Sequence, residues 1–222
     1  VMCEYLGLKP TFNASMVVGG ASPAVMLKHA AEAIVSGQAE VILCCAGENR
    51  ATGQTRDQAV AALAAVGHPY YEQPYGASIP SFYAMIPRRH MHEYGTTAEQ
   101  LGCIAVAMRK HAQLNPNAVM HGKEMTIEDY LASPMLADPY RIFDCCIETD
   151  GAAAVVVTTV ERARDLKNKP VVIMGAAAGQ PYPADEITNR KDMFRTGLTI
   201  AAPEAFAAAG VKPSDADFAM IY

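Results

Sequence analysis

Two rhythms of apolar positions run along the chain. Residues 11–18 are rich in β-branched and apolar types and end at Gly19-Gly20, which predicts a strand entering a tight turn. Ser22-Pro23 follows, a residue type favoured at helix N-caps and then a proline suited to the first helical position. Met26, Ala30, Ala33 and Ile34 recur at helical spacing, and Gly37 closes that helix. Residues 41–46 form a continuous apolar run, the pattern of a strand buried on both faces. Strand, turn, helix and strand make a βαβ unit, and the expected class is α/β with a parallel sheet.

The rhythm changes over about 50–140. Pro, Tyr and His become common, as in Tyr70-Tyr71-Glu72-Gln73-Pro74-Tyr75-Gly76, and no buried strand is visible. A helix is predicted over about 97–114: Thr96 and Glu99 fit a capping box, Leu101, Ile104, Ala105 and Met108 supply an apolar stripe, and Asn115-Pro116 stops it. A short helix is predicted over 126–132, with Asp129 three residues after Thr126. The stretch therefore reads as a helical insertion. After Asp150-Gly151 the α/β rhythm returns, with apolar runs at 152–159 and 170–175, helices at 161–167 and 198–209, and a strand at 218–222. One parallel sheet is expected from strands near 12–18, 41–46 and 152–159, and a second is expected to begin with 171–176 and 218–222.

Composition narrows the classes. Among 222 residues 51% are hydrophobic and 18% charged, below the usual share of about 25% charged. That apolar content excludes a disordered chain. A net charge of −5 speaks against a generally basic nucleic-acid binder and against a polybasic membrane-surface protein. No uncharged apolar stretch of about 18 residues suggests a membrane span, and no signal peptide is visible. The six cysteines include two adjacent pairs, Cys44-Cys45 and Cys145-Cys146, neither at metal-ligand spacing. They read as small buried hydrophobes in a reducing cytoplasm, the expected location. The chain lacks an initiator Met and its last segment reads as a strand that stops, so an internal piece of a longer protein is expected.

The turn Gly19-Gly20-Ala21-Ser22 carries the first candidate chemistry. Backbone N–H groups at a strand-to-helix turn bind anions or hold an oxyanion, and nucleophiles are displayed there. A plain tight turn needing glycine explains the same residues. The spacing fits neither G-x-G-x-x-G nor a P-loop. His90 and His92 stand two apart and face apart on a helix, His29 reads as a core or interface residue, and His68, His111 and His121 as surface residues. No metal set is apparent. The aromatic cluster 70–83 reads either as packing or as the wall of an acyl pocket.

From Ala21-Ser22-Pro23-Ala24 through Ser36-Gly37-Gln38-Ala39-Glu40 to Ala46-Gly47-Glu48-Asn49, the chain resembles the nucleophilic elbow, helix and following strand of the thiolases. The run from Arg89 to Thr96 resembles the loop-domain segment of the sterol-carrier-type thiolases; Asn115-Pro116-Asn117-Ala118 and Phe143-Asp144-Cys145-Cys146 continue it, and Asp150-Gly151-Ala152-Ala153-Ala154 resembles the close of the N-terminal half. The resemblance spans nearly the whole chain. It implies a thiolase-like fold of parallel-rich sheets with layered helices and an inserted helical loop domain. Residues 1–49 and 150–165 would form the N-terminal core, 50–149 the loop domain, and 166–222 the start of a truncated C-terminal half. Acyl-coenzyme A is then the substrate class, with no cofactor beyond the coenzyme A of the substrate itself.

Two departures redirect the expected chemistry. Thiolases carry a cysteine four residues before the elbow serine; that position here is Val18, which has no nucleophilic atom. Tyr222 stands where the sterol-carrier-type family carries the histidine of a His-Asp-Cys-Phe motif. A tyrosine there resembles the thiolase-like aldolases that cleave 3-hydroxyacyl-CoA side chains, including those of steroids. The leading expectation is a carbon–carbon lyase using retro-aldol chemistry, with Tyr222 as acid/base and Gly19, Gly20 and Ser22 around the thioester oxygen. Tyr182 either reaches the same cleft or packs its ring as a loop residue. The competing expectations are a thiolase-type acyltransferase, whose cysteine lies in a later segment, and a non-catalytic acyl-CoA or lipid-binding subunit. The resemblance also implies a homodimer and a small OB-fold partner.

Overall fold

The computed structural model describes residues 2–76, 78–183 and 187–221. In chain order the elements are α1 (Met2–Tyr5), α2 (Ser22–Val35), β1 (Val41–Asn49), α3 (Arg56–Ala64), α4 (Ile79–Tyr94), α5 (Ala98–Leu114), α6 (Ile127–Ala132), β2 (Met135–Ala137), β3 (Tyr140–Arg141), β4 (Asp150–Thr158), α7 (Val160–Arg164) and α8 (Leu198–Ala209), with short 3-10 turns at Gln73–Tyr75, Ile142–Asp144, Ile187–Asn189 and Pro213–Asp215. The chain divides into two compact units. The first is Val1–Glu48, Asp150–Pro181 and Arg195–Tyr222; the second is Asn49–Thr149 and Tyr182–Phe194. Residues 182–194 thus leave the first unit and join the second.

The first unit is built on β1 and β4, which form a two-stranded sheet. A Cβ on Gly47 would meet Ala152, and Glu40, just before β1, accepts through its carbonyl from the Thr158 hydroxyl at 2.8 Å. Residue numbers rise along one strand as they fall along the other, so the pair is antiparallel. The mixed helix–sheet architecture is the expected α/β class, but the parallel pairing expected of 41–46 and 152–159 is corrected. Apolar runs report burial and carry no information on strand direction. Burial is also partial. Helix α2 packs on β4 and buries Ala30 and Ala33, and Cys44 is buried, yet Val41, Leu43, Val155 and Val156 stay exposed. Residues 12–17 and 171–176 and the described part of 218–222 are not strands. A strand needs a ladder partner, and the described residues supply none to these segments.

Helix α8 lies hard against the segment before the 182–194 excursion. A Cβ on Gly175 would stand 2.4 Å from the Ala205 carbonyl oxygen, and one on Gly179 2.3 Å from that of Gly197. These two glycines are what lets backbone meet backbone there.

The second unit is helical. Thr55 and Gln58 cap α3, Thr126 and Asp129 cap α6, and Thr97 and Gln100 cap α5, each as a reciprocal capping box. The cap of α5 falls one residue later than expected, because the Thr96 hydroxyl is engaged with His90 Nδ1 at 2.6 Å. The extent of helix α4 was not legible in the sequence, although His90 and His92 were read on a helix: it holds Pro80 in its first turn and Pro87 in its interior, and Gly95 ends it in the left-handed region. Phe82, Ala84 and Pro87 form its buried side. Helix α5 packs on α6, and Gly102 gives room for the Tyr130 ring. β2 and β3 pair antiparallel beside α4.

Candidate functional site

The elbow joins Val18 to α2 through a hydroxyl staple. Ser22 Oγ accepts from the Val18 amide at 2.9 Å and donates to the Gly19 carbonyl at 2.7 Å; the Ser22 amide donates to the same carbonyl at 3.1 Å. Gly19 sits at φ +63°, a conformation that side-chain-bearing residues rarely adopt. The expectation that Ser22 caps α2 is corrected. The N-cap position is Ala21, with no side-chain cap, and Ser22 is the first helical residue. Its hydroxyl turns back onto the elbow because the Gly19 carbonyl and Val18 amide lie three and four residues behind it, within reach of a first-turn side chain. Gly19, Gly20 and Ala21 are exposed, and Val18 is 54% exposed. The turn therefore presents bare backbone at a helix start, with an inert valine beside it.

Val18, Gly19, Gly20 and Ser22 are thus brought into one turn of the first unit. Tyr182 belongs to the second unit and is 97% exposed. Tyr222 lies outside the described residues. The first unit also encloses a cavity of about 700 Å³ between the N-terminal segment, α2 and β1; Phe12, Met16, Met26, His29, Cys44 and Cys45 line it, and no elbow residue does. Burial pushes the Cys44 thiol up, with Cys45 adding to the effect, so it is a poor nucleophile there. All six cysteines are free. Among the described residues no group of three His, Cys, Asp or Glu side chains is arranged to hold a metal, and no helix is long and apolar enough to cross a membrane.

Two polar clusters of the second unit escaped the sequence. In one, the Tyr130 hydroxyl donates to both Asp144 oxygens at 2.9 and 2.8 Å, the Arg141 amide donates to Asp144 at 2.6 Å, and Arg141 reaches the Ser133 carbonyl at 2.6 Å. Burial, then the Asp144 carboxylate, pushes the Tyr130 phenol far above its ordinary value, so it stays a neutral donor. The same two causes push up Tyr140 and Cys145. In the other cluster, Glu72 accepts from the Thr188 hydroxyl at 2.6 Å and from the His68 amide at 2.8 Å. Those bonds, in that order, hold its carboxyl below the ordinary range. Thr188 is 116 residues from Glu72, a separation no local pattern reports. Near it Met85, Arg88, Arg89, His92, Thr188 and Met193 line an open cavity of about 510 Å³. His90 stacks near Tyr94 and meets Phe194 edge-on at 5.5 Å.

No protein-family model matches the chain. It is 38% identical over 227 residues to the 17-hydroxy-3-oxo-4-pregnene-20-carboxyl-CoA lyase of Mycobacterium tuberculosis, an alignment covering 96% of this chain and 57% of that protein. It is 33% identical over 223 residues to an acetyl-CoA acetyltransferase of Methanothermobacter thermautotrophicus, covering 100% of this chain and 57% of the relative. Among solved structures it matches an Ltp2-ChsH2(DUF35) aldolase with a TM-score of 0.81 and 34% identity, over 96% of this chain and 56% of that one. The chain spans about half the length of the curated relatives it matches.

Proposed function

The chain belongs to the thiolase superfamily, in the branch that joins sterol-carrier-type thiolases to thiolase-like aldolases, and from that membership we propose that the whole protein is a carbon–carbon lyase acting on 3-hydroxyacyl-CoA thioesters. The observation that carries this reading is Val18. The elbow keeps its tight glycine turn and its helix, yet the position four residues before Ser22 holds a side chain that cannot form an acyl-enzyme.

Retro-aldol cleavage needs no covalent nucleophile. A base takes the proton of the 3-hydroxyl, the C2–C3 bond breaks, C3 becomes the carbonyl of a ketone, and the electron pair moves into the thioester as an enolate that is then protonated at C2. Donors at the thioester oxygen stabilise that enolate, and the exposed backbone of Gly19 and Gly20 beside the start of α2 suits the task. Tyr222 is assigned the acid/base role. A tyrosine with an ordinary pKa near 10 serves when neighbours lower it, and Tyr182 is the second phenol proposed for proton transfer. Coenzyme A enters only as part of the substrate. We place the enzyme in the cytoplasm as a homodimer with a small OB-fold partner subunit; the two-component name of the matched aldolase supports a partner.

Incubating the full-length protein with a 3-hydroxy-3-alkyl acyl-CoA tests this reading: ketone and a shortened acyl-CoA are expected, and intact-mass spectra are expected to show no acyl adduct. The likeness to an acetyl-CoA acetyltransferase favours a second reading, acyl transfer through a cysteine elsewhere. A thioester adduct without aldol products selects that reading, and neither adduct nor turnover selects an acyl-CoA- or lipid-binding subunit.

A further inference from the structure

Tyr182 makes so little contact that its own side chain cannot fix its position; at 97% exposure only the backbone can. The excursion that carries Tyr182 is anchored to the rest of the second unit at two points and tied by one bond within itself. Thr188, in the turn Ile187–Asn189 that packs against α4, donates to Glu72 Oε1 at 2.6 Å. Arg190 Nε donates to the carbonyl of Pro183, the residue after Tyr182, at 3.2 Å. Phe194 closes the excursion against His90 and Tyr94, with ring centroids 5.5 and 5.8 Å away. Of these, Glu72 alone is a carboxylate only 8% exposed, and its second oxygen is taken by the His68 amide. A buried carboxylate oxygen without a donor costs far more than an exposed one. The Glu72–Thr188 bond, made to a charged acceptor, therefore favours the docked excursion, and losing its donor while docked leaves a buried carboxylate oxygen unpaired.

We infer that Glu72 and Thr188 are positioning residues, a clamp that docks residues 187–194 onto the second unit and thereby sets the place of Tyr182 for proton transfer. The catalytic half of this inference rests on the function proposed above; the docking half does not. Both are tested with the full-length protein by hydrogen exchange and by turnover of a 3-hydroxy-3-alkyl acyl-CoA. Thr188→Val removes the donor, and amide exchange over 187–194 is expected to speed up by about tenfold or more, while peptides of α5 and α6 keep their protection. Thr188→Ser keeps the hydroxyl and is expected to restore wild-type exchange. Turnover by Thr188→Val is expected to fall about tenfold in kcat with KM changed little, and Thr188→Ser to recover it. In a Tyr182→Phe background Thr188→Val is expected to cost nothing further, since both act through one phenol. Unchanged exchange in Thr188→Val overturns the clamp. Faster exchange with additive losses in the double variant overturns the link to Tyr182. If the wild type cleaves no 3-hydroxyacyl-CoA, the proposed function fails, and the exchange result still decides the clamp.

Discussion

Tyr130 is wholly buried, and its hydroxyl is spent on the Asp144 carboxylate. A hydrogen bond to a charged group contributes more than a neutral one, about 1.5–3 kcal/mol. Tyr130→Phe keeps the ring and is expected to lower the unfolding free energy by about that amount, measured by urea denaturation. The neighbouring Gly102 poses a contest of two effects. Alanine is the better helix former by about 1 kcal/mol, but its Cβ would stand 2.5 Å from the Tyr130 ring and 2.6 Å from Ile127. A ring with no exposed surface cannot retreat, so overpacking wins, and Gly102→Ala is expected to destabilise by about 1–3 kcal/mol. Glu72 gives a pH signature of known sign. Its folded-state carboxyl is held below the ordinary value by Thr188 and His68. The stability it contributes is complete above the ordinary carboxylate range and is lost as pH falls through the depressed value. The stability difference between wild type and Glu72→Gln is therefore expected to narrow between neutral pH and about pH 3; a constant difference in urea midpoints would exclude this account.

Among the elements, helices were readable where caps and stripes agreed. Thr126 with Asp129 marks α6, and the stripe of Leu101 and Ile104 marks α5 to within a residue. The extent of helix α4 hid behind Pro80 and Pro87, since proline reads as a breaker unless tertiary packing, here of Phe82 and Ala84, overrides it. The apolar runs 41–46 and 152–159 did become β1 and β4, whereas the other expected strands failed for a different reason. Residues 12–18 and 171–176 have strand composition, but strand pairing is decided by a distant partner rather than by local composition. The elbow turn was placed correctly, whereas the direction of the Ser22 hydroxyl was not, because capping and back-bonding use the same residue type at neighbouring positions. Gly175 and Gly179 test the packing of α8. A Cβ at either would meet backbone atoms, which cannot rotate away as side chains do. Gly179→Ala is expected to destabilise by about 1–3 kcal/mol or more, and thermal melting of the full-length protein checks it.

On the scale of the whole molecule, family membership was legible because the motif segments keep their order and gaps across nearly the entire chain, and the matches to about half the length of its relatives agree. The joining of 182–194 to the second unit was not, since it rests on Thr188 and Phe194 meeting residues that lie about a hundred positions earlier. The mechanism proposed for the whole protein rests on a single missing atom, the sulfur at residue 18. In that proposal the elbow polarises a thioester, and the valine there has no atom with which to attack it. The burden passes to proton transfer, and Tyr222→Phe isolates that burden because it removes the hydroxyl while keeping the ring. General acid–base groups contribute about 10²–10⁴-fold, so kcat for aldol cleavage is expected to fall by that factor with KM nearly unchanged. Val18→Cys supplies a thiol without the base that would ionise it, at a reference pKa near 8.5, and is expected to leave thiolysis absent and the acyl adduct undetected. Steady-state kinetics and intact-mass spectra on the full-length variants decide both points. Wild-type cleavage by Tyr222→Phe would remove the tyrosine from the chemistry, and an acyl adduct on Val18→Cys would show that the elbow still carries the activating base of a thiolase.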